Sequence, residues 1–223
     1  APAGLTRVRF EDWCAVAVMA LDELRSRIPS DAPIHVVGYS NGGAVALDLT
    51  LEAMDRGEDT VDAIVLVSPA IQISSFARVG SWHRVLSWTE TFESFAWFTV
   101  MPEYDPFKYA SFPKNAAYQT HRLSVATRDG LARLAGEGRI DRLPPILTFQ
   151  SIVDTTVESS AVIDALYAHL DDPRSHLVLF DVNRSSALAP FMRGRHDAII
   201  RALHDAGPVS YTHLRAHETP LQR

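Results

Sequence analysis

A chain of 223 residues, 47% apolar and 22% charged, is long enough to bury a sizeable core and too apolar to be a disordered segment. Its formal charge is -6, from 21 basic and 27 acidic groups, and it has no basic block of the kind that tracks a phosphate backbone, so nucleic acid is not an expected partner. No apolar run approaches the roughly 18 residues that span a bilayer.

The chain order then supplies the elements. Phe10, Trp13, Cys14, Ala17, Leu21, Leu24 and Ile28 recur at helical spacing, and Pro29 ends the stripe. Ile34 to Val37 is a short β-prone run that opens directly into Gly38. Asn41 to Asp55 is rich in Ala and Leu without Pro, which predicts a helix closed by Gly57. Val61 to Val67 is a strand stopped by Ser68-Pro69. Such alternation with short connections points to a parallel sheet with helices packed on its faces.

From about residue 71 to 142 the rhythm changes. Twelve of the twenty aromatic residues fall between Phe76 and Tyr118, and Pro102, Pro106 and Pro113 divide the stretch into short pieces. This predicts an inserted helical cap, whose aromatics form either a lid over an apolar pocket or the small core any insertion needs. Asp105 fits a turn. Alternation resumes with the strand Ile146 to Gln150, a helix near Glu158 to Leu170, the strand His176 to Val182 and a last helix over Arg195 to Ala206. The organisation expected is a first core segment at 1–70, the cap at 71–142 and a second core segment at 143–208. The final stretch, 209–223, has no clear period; it looks like translated sequencing adapter rather than a plain polar tail, and is set outside the fold.

The chemistry centres on Gly38-Tyr39-Ser40-Asn41-Gly42. A β-prone run enters this G-x-S-x-G and a helix leaves it, the strand–turn–helix setting that lifts a serine hydroxyl above a sheet. Gly38 and Gly42 are expected to be small because a Cβ would clash in so tight a turn. The backbone N–H of Asn41, in the first helical turn, can face a developing oxyanion. A serine nucleophile needs a base, and that base a carboxylate. Asp154, in Ser151-Ile152-Val153-Asp154, follows a strand end where catalytic groups collect, although an Asp there also caps a helix. His196 is the histidine in the right order for the base; Gly194-Arg195-His196-Asp197 also suits the start of a solvated helix. His169 and His176 have the setting of surface residues. Cys14, the single cysteine, fits a buried small hydrophobe, and no Cys/His cluster supports a metal site.

From Pro33 to Val182 the chain resembles the α/β-hydrolase superfamily, nearest its lysophospholipase-like and serine aminopeptidase-like members. The resemblance rests on Gly38-Tyr39-Ser40-Asn41-Gly42-Gly43, on Val65-Leu66-Val67-Ser68-Pro69-Ala70 and on Ser151-Ile152-Val153-Asp154. It implies a mainly parallel sheet with helices on both faces and an inserted helical cap. It also implies hydrolysis of an ester, thioester or amide of a small, apolar acyl substrate through an acyl-enzyme on Ser40, with Asp154 and His196 completing the triad and no cofactor. Acyl transfer to another acceptor, or a relative that binds without turnover, is the alternative. Two departures stand out. The family places several strands and a second oxyanion donor before its serine, whereas 39 residues precede Ser40 here, so those strands are expected to lie outside this sequence. The family also carries its histidine soon after the last strand, where this chain has Asn183-Arg184-Ser185-Ser186, so the base is either His196 or a histidine beyond the tail. The start, Ala1-Pro2-Ala3-Gly4, shows no signal peptide, and the cytoplasm is the default expectation.

Overall fold

The structure is a computed structural model that describes residues 2–72, 96–102, 104, 110–151, 162–170, 172–181 and 210–215. After a 3₁₀ turn at Pro2–Thr6 come α1 (Phe10–Arg27), β1 (His35–Tyr39), α2 (Asn41–Arg56) and β2 (Ala63–Val67). A short hairpin of β3 (Trp97–Thr99) and β4 (Phe112–Pro113) leads into the long helix α3 (Lys114–Gly136). Then follow β5 (Ile146–Ser151), a π-helical turn at Ile163–Tyr167, β6 (His176–Asp181) and β7 (Ser210–Arg215). Five strands form one sheet in the order β1-β2-β5-β6-β7, and every neighbouring pair is parallel.

The two-residue period of the strands decides where the core sits. Register pairs Val36 with Ile64, Ile64 with Ile146, and Thr148 with Leu177, which puts these side chains on one face. On that face Ile64, Leu66, Ile146, Thr148, Gln150, Leu177 and Leu179 are buried. They meet Leu47, Leu51 and Met54 of α2, Leu131 and Leu134 of α3, and Ile163, Leu166 and Tyr167 of the π-helical turn. The Tyr167 ring is fully buried; its hydroxyl donates to the His176 carbonyl at 2.7 Å and lies 2.8 Å from Thr148 Oγ1, which satisfies the polar end of an apolar residue. The opposite face carries Val65, Val67, Leu147, Phe149, Val178 and Phe180, all half-buried, with the Phe149 and Phe180 rings stacked at 6.0 Å. The second helical layer that the family resemblance implies contains none of the described helices, and the helix expected at Arg195 to Ala206 lies outside the described residues.

Two expectations change. The stretch 71–142 is not all cover, because α3 packs along α2 and puts Leu131 and Leu134 into the main core. Gly130 permits that approach, since a Cβ there would stand 3.0 Å from the Leu51 side chain. Seven of the twelve aromatics between Phe76 and Tyr118 lie outside the described residues, as does Asp105; of the other five, Trp97 and Tyr118 are half-buried. Phe98, Val100, Met101, Tyr104 and Phe112 are half or more exposed, because the two-stranded hairpin has too little sheet to shelter a layer. Phe98 and Phe112 stack at 6.1 Å on its surface, with Lys114 Nζ 5.7 Å above the Phe98 ring. Finally, Ser210–Arg215, from the tail set outside the fold, pair with β6 as a parallel edge strand. Backbone pairing at a sheet edge asks little of side chains, so composition is a poor guide to it.

At the other edge, β1 pairs with β2 alone among the described strands, and Val37 and Tyr39 are 70% and 72% exposed. A bare, apolar edge strand is a template for self-association. Val37→Lys is expected to lower the associated fraction without shifting the melting temperature by more than about 2 °C, measured by sedimentation and thermal melting.

Helix α1 is a surface helix clipped onto α2 and α3. Asn115 Nδ2 donates to the Leu5 and Val8 carbonyls at 3.0 and 2.7 Å, and Arg122 pairs with Glu11 at 3.0 Å. Beneath these, the buried Cys14 thiol donates to Asp48 Oδ2 at 3.2 Å. Burial pushes the Asp48 carboxyl up from its ordinary value; the Cys14 hydrogen bond opposes the shift, and the Glu52 and Glu11 charges add to it. A folded value above the unfolded one means that Asp48 costs nothing below the ordinary carboxylate range and lowers stability as pH rises through its folded value. Asp48→Asn removes that cost and keeps an acceptor for the thiol. At neutral pH it is expected to raise the melting temperature by about 2–4 °C, roughly 1 kcal/mol, and to flatten the decline from acid to neutral pH. A lower melting temperature at every pH would contradict this.

Candidate active site

Ser40 stands between the last residue of β1 and the first of α2, with φ 51 and ψ -116. A residue with a Cβ enters this region at a cost, and such strain persists only where neighbours over-determine it. Here they do. The Ser40 N–H donates to the Val67 carbonyl at 2.9 Å, and the Ser40 carbonyl accepts from Gly43 N–H at 3.0 Å and Ala70 N–H at 2.9 Å. The result is a serine at the C-terminal end of a strand, above the sheet, with the N-terminus of a 16-residue helix directly behind it.

The glycines of the turn do unequal work. A Cβ on Gly38 would lie 2.6 Å from the Gly42 carbonyl oxygen and from Gly43 Cα, so the close approach demanded by the turn is real at this position. At Gly42 the expectation fails: a Cβ there meets nothing within 4 Å. The second tight position is Gly43, whose Cβ would lie 2.7 Å from Pro69 Cβ. The motif's outer glycine faces open space, and the residue after it abuts the neighbouring strand end.

Asn41 opens α2, where the N–H groups of the first turn have no partner within the helix and the helix dipole favours negative charge. Its side-chain Oδ1 is buried without a hydrogen-bond partner among the described groups. Because the strands are parallel, the chain leaves β1, β2, β5 and β6 at one end of the sheet. Ser151, the last residue of β5, is two strands from Ser40, about 10 Å at ordinary strand spacing. Asp154 follows three residues later and lies outside the described residues, as does His196. His169 and His176 are exposed, and His176 begins β6, at the end of the sheet remote from Ser40. Among the described residues no group of His, Cys, Asp and Glu is arranged to hold a metal ion, and no helix is long and apolar enough to cross a membrane.

The sequence names Gly43 and Ser68-Pro69-Ala70 only as parts of the family pattern, with no structural role for either. The signal for the first was the doubled glycine at 42 and 43. The second reads in sequence as the stop of a strand, and its contact with Ser40 is non-local.

Residues 6–78 match the family model for a thioesterase domain. Comparison with curated proteins gives no match. Among solved structures, one reported with LipS and LipT, two metagenome-derived lipolytic enzymes, superposes with a TM-score of 0.58 at 17% identity, over 92% of this chain and 76% of that one. The monoacylglycerol lipase of Paleococcus ferrophilus superposes with a TM-score of 0.53 at 13% identity, over 87% of this chain and 76% of its own. Parallel strands in sequential order, a strained serine between strand and helix, and these superpositions agree on the fold: the chain has an α/β-hydrolase-type fold.

Proposed function

We propose that the chain hydrolyses a carboxylic ester or thioester through an acyl-enzyme on Ser40. One observation carries the proposal: Ser40 is held at φ 51 between strand and helix, with its peptide bonded on both sides to the end of β2. A turn that stores strain around an incidental serine has no reason to be so fully braced. The thioesterase-domain match over the same residues and the lipolytic neighbours support an acyl substrate.

In this mechanism Ser40 Oγ attacks the carbonyl carbon while a histidine accepts the hydroxyl proton. The carbonyl electron pair moves onto oxygen, and that oxyanion accepts a hydrogen bond from Asn41 N–H. Collapse expels the alcohol or thiol, which takes the proton back from the imidazolium. Water then attacks the acyl-enzyme by the same route and restores Ser40. His196 is the proposed base and Asp154 the carboxylate that orients it and stabilises the imidazolium. The test is pre-steady-state hydrolysis of a p-nitrophenyl ester and an acyl thioester. A burst of one product equivalent per chain, absent in Ser40→Ala, is expected. Turnover that survives Ser40→Ala, or no turnover of either substrate, would overturn the proposal.

A further inference from the structure

We infer that the turn Ser68-Pro69-Ala70 is a positioning device that aims the Asn41 N–H at the oxyanion; the inference rests on the acyl-enzyme reading above and extends it to residues outside the elbow. The Ser40–Asn41 peptide is planar and trans, so its C=O and its N–H point in opposite directions. Whatever holds the carbonyl therefore aims the N–H. Gly43 N–H holds it at 3.0 Å from within the elbow itself, and such a local bond turns with the elbow. Ala70 N–H holds it at 2.9 Å from the end of β2, and this bond ties the peptide to the frame of the sheet.

Ala70 reaches the carbonyl because the chain bends sharply after Val67. Ser68 makes the bend at φ 45, in the left-handed region, and its own N–H donates to the Phe149 carbonyl of β5 at 2.8 Å. The turn is thus anchored on one side to β5 and on the other to the nucleophile. Pro69 completes the brace by packing where a Gly43 side chain would be. Ser40 and Ser68 are the two non-glycine residues with positive φ among the described residues, and the Ala70 bond joins the turns they make. Strain at two facing turns, with a hydrogen bond between them, is the arrangement expected when one turn must orient the other.

The test separates aim from folding. Glycine keeps the left-handed bend accessible at position 68, and valine makes it costly. All rates are referred to Ser40 titrated with a fluorophosphonate. Ser68→Gly is expected to keep kcat within about threefold, and Ser68→Val to lower it at least about tenfold with KM unchanged, since an oxyanion contact acts in the transition state. Replacing Ala70 by lactic acid converts the donor N–H to an ester oxygen with the side chain kept. It should reproduce the loss of kcat and lower the affinity for a trifluoromethyl ketone, whose hemiketal oxygen takes the oxyanion position, by the same factor. If the ester variant keeps kcat per titrated site and loses only thermal stability, the inference is overturned. A chain that neither labels nor turns over in its unmodified form defeats the acyl-enzyme reading alone. Amide exchange at Ala70 then still decides the clamp: at least about tenfold faster exchange in Ser68→Val than in Ser68→Gly supports it, and equal exchange overturns it.

Discussion

Gly38→Ala is expected to cost about 3 kcal/mol or more of stability, whereas Gly42→Ala, at the other end of the same five-residue motif, is expected to be neutral or to stabilise by up to about 1 kcal/mol. The difference follows from what each added methyl meets. At Gly38 it meets the Gly42 carbonyl oxygen at 2.6 Å and the Gly43 backbone at 2.6 and 2.7 Å, and backbone cannot swing aside as a side-chain tip can. Relief requires β1 and α2 to separate, which would break the Ser40 bonds to Val67 and Ala70. At Gly42 the methyl enters open space, and alanine also favours the first turn of α2. Urea denaturation of both variants reads the difference directly. Equal destabilisation would mean that the elbow does not have this geometry.

Ser40→Ala carries the second large effect. Removing the hydroxyl removes the proposed nucleophile while leaving the Ser40–Asn41 peptide and its bonds to Gly43 and Ala70 in place. Turnover of an activated ester is expected to fall by at least about 10³-fold, with any residual rate coming from the oxyanion donor and substrate binding. Stability should move the other way or not at all, because the variant keeps the backbone contacts. The thermal melt should therefore shift by no more than about 2–4 °C. A loss of turnover that tracks a loss of folded protein would not support a nucleophile.

Much of this was legible in the sequence because it is local. The alternation of Ile34 to Val37, Asn41 to Asp55 and Val61 to Val67 foretells β1, α2 and β2 to within two residues, and Gly57, at φ 68, closes α2 as its position suggests. Ile146 and His176 open the strands expected of them. What stayed hidden depends on contacts between distant segments. Gly43 is tight because of Pro69, 26 positions further on, and no five-residue pattern contains that neighbour. Cys14 is buried, as its apolar stripe suggests, but its partner Asp48 sits on another helix, 34 positions further on. Helix α3 was obscured by the aromatic residues before it, since its own buried positions include Gln119, Ser124 and Thr127, which carry no hydrophobic signal. The proposed triad is legible only as an order of residue types: Ser40 lies in the described elbow, and Asp154 and His196 lie outside the described residues.

The most direct measurement is the intact mass of the full chain after treatment with a fluorophosphonate, followed by peptide mapping. One adduct per chain is expected, on Ser40, lost in Ser40→Ala and retained in Ser68→Gly. An unlabelled chain that still melts cooperatively, or an adduct mapped to any other serine, would contradict the assignment of Ser40 as the nucleophile.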